Sequence, residues 1–224
     1  MSVLAVTGLI REARIARRAK LIPVISGGGD NELLIARLEE AIAKHKPKGI
    51  VSFGIAGALA PLLKIGDVVI ATHVVHDDER YATDAVWTHA MRARLPRATP
   101  AIIVGHGQIV SHVDGKRRLF AQSGAHAVDM ESHIAARLAH RHGIPFAALR
   151  TISDVANRGL PPAALVPLKP NGRIRLTHVL ASVASDPGQI PDLMKTGREA
   201  GKAMRALLRS RNALGLFLGC PYLG

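Results

Sequence analysis

Short apolar runs of β type alternate with helical patterns along nearly the whole chain, and this alternation restricts the fold more than any other feature. Val3 to Val6, Leu21 to Ile25, Ile50 to Phe53, Val68 to Val75, Ala101 to Val104, Ala125 to Val128 and Phe146 to Ile152 have the continuous apolar character of buried strands. Between them lie segments with helical spacing. Arg11 to Lys20 is basic, and Leu33, Leu34, Ile35, Leu38, Ala41 and Ile42 form a stripe behind a cap at Asp30 or Asn31. Further helices are expected near Asp84 to Leu95, Lys116 to Gln122, Glu131 to Arg141, Arg175 to Ser185 and Gln189 to Arg211, with a Pro- and Gly-rich loop over residues 157–173. The pattern predicts a single-domain three-layer α/β/α sandwich around a mixed, largely parallel central sheet. That domain is expected over residues 1–213, and residues 214–224 form an apolar tail.

Charge and composition narrow the function classes. The formal net charge is +13, from 30 basic against 17 acidic residues, so the chain attracts polyanions or an anionic lipid surface. Aromatic residues make up only 3%, too few for the stacking platforms of a single-strand nucleic-acid binder; a basic nucleic-acid-binding protein is the non-enzyme alternative. Cys220 is the single cysteine, and none of the 11 His residues has metal-ligand spacing, so no disulfide framework and no catalytic metal are expected. Residues 1–6 have the character of a first strand rather than a signal peptide, and no stretch approaches the roughly 20 apolar residues of a membrane span. A cytoplasmic protein is expected, with contact at the inner membrane face as its one route to lipid. The tail from Leu214 to Leu223 is the first candidate for such contact, with packing on the protein's own surface as the competing reading.

Four segments invite a functional reading. Ser26-Gly27-Gly28-Gly29-Asp30 joins a strand to a helix, but Glu32 stands where a dinucleotide fingerprint needs its third Gly; a tight turn or an anion site remains. Gly54, Ala56 and Gly57 are small residues after a strand, where backbone approaches a ligand closely. Asp129-Met130-Glu131-Ser132 places a carboxylate between a strand and a helix, well placed for a diol or simply for the helix dipole. Phe146 to Asp154 is an apolar strand that delivers Arg150, Ser153 and Asp154 at its C-terminal end, where open α/β sheets carry their sites. Each is ordinary alone.

In this order, together with Lys64-Ile65-Gly66-Asp67-Val68-Val69, the last three segments resemble the nucleoside phosphorylase and nucleosidase family. The group most similar is the hopanoid-associated phosphorylases, through Glu12-Ala13-Arg14-Ile15-Ala16-Arg17, Ser52 to Gly57, Val128 to His133, Leu160-Pro161-Pro162-Ala163 and Asp186-Pro187-Gly188-Gln189-Ile190-Pro191. The resemblance implies cleavage of the N-ribosidic bond of a 5′-substituted adenosine, with adenosylhopane as substrate. Methylthioadenosine or S-adenosylhomocysteine cleavage and general purine nucleoside phosphorolysis are the alternatives. It implies that Asp154 protonates purine N7, that Glu131 holds the ribose hydroxyls over Met130, and that Ile109 and Val110 wall the base. Glu12, Ser52 and Ile55 stand where the phosphorylases hold phosphate, whereas Glu12 and Arg150 match the nucleosidases. The balance falls to water directed by Glu12, with Arg11, Arg14 or Ser26 to Gly29 as alternative anion sites if phosphate is the co-substrate. No cofactor is implied, and a homo-oligomer is.

Overall fold

A computed structural model describes residues 2–26, 30–166 and 168–223. Eight strands form one mixed sheet: β1 (Val3–Thr7), β2 (Ile22–Ile25), β3 (Gly49–Ala58), β4 (Val68–His76), β5 (Glu79–Ala82), β6 (Thr99–Gly105), β7 (Ala127–Asp129) and β8 (Phe146–Asp154). The order β2-β1-β3-β7-β6-β4-β5 is closed on itself by β8, which pairs with β3 in parallel and with β4 antiparallel. Strands β3, β7, β6, β4 and β8 therefore make a ring, and β1 and β2 extend it as a parallel wing. Five of the eight pairings are parallel, in keeping with the near-continuous apolar strands.

Among the described residues there are seven α-helices: α1 (Ile10–Arg18), α2 (Asn31–His45), α3 (Ala85–Arg94), α4 (Val113–Ser123), α5 (Ser132–Arg141), α6 (Leu176–Ser185) and α7 (Ile190–Leu214); α6 lies apart from the sheet with no buried side chain. Leu34, Leu38 and Ile42 of α2 share one core with Ile134, Ala135 and Leu138 of α5. Ala16 of α1, Trp87 and Met91 of α3, and Met204 and Leu207 of α7 fill the core on the other face. The three-layer α/β/α class expected from the alternation is what the chain adopts. Asp30 caps α2, its carboxylate accepting from the Leu33 N–H at 2.9 Å.

One strand escapes the sequence pattern. β5 turns back on β4 through Asp77 and Asp78, with Asp77 at φ 49° supplying the left-handed step of a tight hairpin. The C-terminal tail follows the packed reading. Gly215, at φ 76°, ends α7, Leu218 is fully buried, and the Trp87 indole donates to the Leu218 carbonyl at 3.1 Å. Tyr222 donates to Asp84 at 2.8 Å, and Leu218 is packed in the core beside α3, while Leu216 remains 53% exposed. No described helix is long and apolar enough to cross a membrane.

Candidate active site

The C-terminal ends of β1, β3, β7 and β8 converge at one end of the ring, and the motif carboxylates meet there. Glu12 lies in the first turn of α1 and is buried. Its Oε2 accepts the N–H groups of Gly8 (2.8 Å) and Leu9 (2.7 Å), and its Oε1 accepts that of Ile55 (2.8 Å). The start of α1 and strand β3 are thus tied by one carboxylate, and the small residues Gly54, Ala56 and Gly57, expected after the strand, lie within it. Burial pushes the Glu12 carboxyl above the usual range, against the lowering effect of Arg150 and the three backbone donors.

Glu131 sits between β7 and α5, and the neighbouring Asp129 does the capping. Asp129 Oδ1 accepts from the N–H groups of Ser132 (2.9 Å) and Glu131 (3.2 Å). The Glu131 side chain is thereby free of the helix end; it accepts from Ser26 Oγ at 3.2 Å and from Arg150 Nη2 at 3.2 Å. Burial raises its pKa to about 7, and the like charges of Asp129 and Glu12 add to this against the pull of Arg150.

Arg150, on β8, is fully buried behind these acids. Its Nε lies 2.7 Å from Asp129 Oδ2, and its Nη2 donates to Ser52 Oγ at 2.6 Å. Desolvation opposes its charge, but Asp129, Glu131 and Glu12 outweigh that and hold the guanidinium cationic. The stacked position on β3 must be Gly54, because a Cβ there would lie 2.5 Å from both Arg150 Nη1 and Glu12 Oε1.

Asp154 closes β8. Its Oδ1 accepts from Ser153 Oγ at 2.9 Å and its Oδ2 from Lys116 Nζ at 2.5 Å. The sequence argument expects burial alone around this carboxyl; the buried ammonium from α4 is an addition to it.

These groups face one cavity of about 530 Å³. Glu12, Ala56, Gly57, Ile109, Val110, Met130, Glu131, Ser153 and Asp154 all line it; Arg150 does not, and works from behind. Arg11 and Arg14 point outward from α1 and are exposed, which removes them as an anion site in the cavity, because the helical turn that buries Glu12 turns them to solvent. Ser26 is spent on Glu131, and Gly27 to Gly29 lie outside the described residues. The rest of the wall was not anticipated: Leu160, Ala163, Val166, Leu168, Ile174, Leu176, Val179 and Leu193 carry it outward from the carboxylates as an apolar surface. No group of three or more His, Cys, Asp or Glu side chains able to hold a metal ion occurs among the described residues.

A family model described as the phosphorylase superfamily matches residues 24–209. The chain belongs to this superfamily. Among curated relatives, the 5′-methylthioadenosine/S-adenosylhomocysteine nucleosidase of Anoxybacillus flavithermus is 29% identical over 142 residues, 52% of this chain and 60% of that protein. The chain spans about three fifths of the length of the curated relatives it matches. Among solved structures, the S-adenosylhomocysteine nucleosidase of Streptococcus pyogenes superposes with a TM-score of 0.65 at 18% identity, over 94% of this chain and 97% of that one. The 5′-methylthioadenosine/S-adenosylhomocysteine nucleosidase of Helicobacter pylori, solved with butyl-thio-DADMe-Immucillin-A, superposes with a TM-score of 0.64 at 17% identity, over 95% and 98%. At that identity the superpositions show the superfamily member's fold.

Proposed function

We propose that the protein hydrolyses the N-ribosidic bond of an adenosine bearing a large apolar 5′ substituent, releasing adenine. The observation that carries this reading is the lining of the cavity. Its inner end presents Glu12, Glu131 and Asp154, its wall is apolar, and no Lys or Arg is among its described lining residues. Phosphate as nucleophile needs a cation free to hold it. Arg150, behind the floor, is already shared among three acids, and Lys116 is paired with Asp154. Water needs only a base, and the Glu12 carboxyl lines the cavity with its pKa raised by burial, which makes it a stronger base than an exposed carboxylate.

The reaction then runs as follows. Glu131 grips the ribose hydroxyls over Met130, and the purine lies between Ile109, Val110 and the end of β3 at Ala56 and Gly57. Asp154 gives a proton to N7 as the C1′–N9 electron pair leaves with the base. Water adds to C1′ and passes a proton to Glu12. The apolar wall takes the 5′ substituent, which in adenosylhopane, the substrate implied by the sequence resemblance, is a polycyclic hydrocarbon. A methylthio or homocysteinyl group would leave most of that wall uncovered, which favours the larger substituent.

Initial rates on 5′-substituted adenosines test this. Methylthio, butylthio and long-chain alkyl derivatives should show kcat/KM rising with apolar size, and a preference for methylthio would return the protein to ordinary salvage.

A lipid substrate also needs a surface from which to enter, and α6 is the candidate. This ten-residue helix carries no Asp, Glu, Lys or Arg and buries none of its side chains; Leu176 is 68% and Leu180 67% exposed beside the cavity wall. Lys169 and Arg173 stand exposed just before it. An apolar helix flanked by cations matches an anionic bilayer, at ~1 kcal/mol per basic residue near the surface. In this reading the protein works at the inner membrane face. It should co-sediment with phosphatidylglycerol vesicles, less so at high salt and less so as the Leu176→Asn/Leu180→Asn variant. Indifference to vesicles, with a mass that halves in that variant, would instead assign α6 to a homo-oligomer interface.

A further inference from the structure

Lys116 is the one charged residue of the site that the motifs do not account for. It is the fourth residue of α4 and is fully buried. Its ammonium donates to Asp154 Oδ2 (2.5 Å), to the Val155 carbonyl (2.8 Å) and to the Arg158 carbonyl (3.1 Å), which uses all three of its hydrogens. Burying an ammonium costs several kcal/mol unless such partners are exact in number and place, so this arrangement is a built feature. A second tie runs alongside it: the Leu160 N–H donates to the Ser111 carbonyl at 2.9 Å, joining the loop that leaves β8 to the loop that enters α4. Asp154 is therefore gripped from behind on Oδ2, while Ser153 sets Oδ1.

We propose that Lys116 is a positioning residue for departure of the base, acting through Asp154. This rests on the reading of Asp154 as proton donor. When Asp154 yields its proton to N7, the C1′–N9 electron pair passes to the purine and negative charge appears on the carboxyl. The ammonium already stands where that charge develops and keeps its own proton throughout. A preorganised cation at a site of developing charge lowers the barrier without tightening substrate binding.

The test uses two substrates, a 5′-alkyl adenosine and its N7-methylated counterpart, whose cationic base leaves without needing a proton. Lys116→Met should lose on the order of 10- to 100-fold in kcat on the first, with KM changed by less than about threefold, and keep its rate on the second. Lys116→Arg should recover part of the loss. If Lys116→Met does not fold, Lys116→Arg alone carries the test, with its smaller loss again confined to the unmethylated substrate. Equal loss on both substrates, or no loss on either, overturns the proposal. Asp154→Asn serves as the control for the underlying reading. It should lose at least as much as Lys116→Met on the unmethylated substrate and be spared on the methylated one. Near-normal turnover of Asp154→Asn on the unmethylated substrate would remove Asp154 from its role, an outcome distinct from any result with Lys116.

Discussion

At the inner end of the cavity, side chains from α1, β3, β7, β8 and α4 are locked to one another by charge-assisted hydrogen bonds, and three acids surround a single guanidinium. Along the wall, Ile174, Leu176, Val179 and Leu193 offer hydrocarbon with few fixed polar partners, and α6 keeps no buried residue. The first region is specified by pairing: removing one member leaves others uncompensated in a dry place. The second is specified by area, so its residues are exchangeable and each contributes a little. On the proposed reading, the reaction and the choice of substituent fall to separate parts of the fold, and each part can be broken without the other.

The largest expected effect is at the pivot of the first region. Arg150→Met strands Asp129, Glu131 and Glu12 without their common counter-charge, and unfolding free energy from urea titration should fall by roughly 3–5 kcal/mol. A loss under about 1 kcal/mol would mean that the buried network is not what ties these strand ends together.

A smaller and more selective effect is expected in the second region. Leu193→Ala removes part of a half-buried apolar wall, and losing contact worth one to two methylenes at ~0.8 kcal/mol each should raise KM for a long-chain 5′-alkyl adenosine about 5- to 10-fold, with kcat/KM for adenosine unchanged. Equal losses on both substrates would show that wall and floor are coupled.

A third expected effect is on stability against pH. Glu131, at about 7 in the fold against 4.5 as its ordinary value, binds its proton more tightly when folded. That contribution to stability is complete below pH 4.5 and is lost as pH rises through 7. Glu12 is shifted in the same direction. Urea midpoints between pH 4.5 and 7.5 should therefore decline less steeply in Glu131→Gln than in the parent chain. Parallel slopes would place the Glu131 proton elsewhere.

The two regions also differed in how legible they were. Strand and helix periods named every described strand and α-helix except β5, whose turn is Asp77-Asp78 rather than a Gly-bearing pair and whose residues alternate poorly; the short 3-10 turns were not named. Glu12, Glu131 and Asp154 stand at strand ends and helix starts, but there each is ordinary alone, and the family resemblance is what marks them as site residues. Lys116 was hidden because Lys116-Arg117-Arg118 has the look of a solvated basic turn. Only its spacing of three from Val113 and Leu119 places it on the inward face of α4, and a cation on an apolar stripe is the signal that would have found it. The wall stayed unread because residues 157–173, Pro- and Gly-rich, carry no periodicity, although the bridge between Leu168 and Ile174 and the short turn Pro162–Ala164 fold them over the cavity. Of the two readings of the tail, surface packing needed partners that sequence does not show, since Trp87 and Asp84 lie some 130 residues away.

The central claim is that a floor of acids without a free cation commits the site to water. Cleavage of a 5′-alkyl adenosine in phosphate-free H₂¹⁸O, with the sugar product weighed by mass spectrometry, tests it directly. The account predicts one ¹⁸O atom on the sugar's C1, a rate unaltered by added phosphate, and a loss on the order of 100-fold in Glu12→Gln. No turnover until phosphate is added, with a sugar 1-phosphate as product, would contradict it.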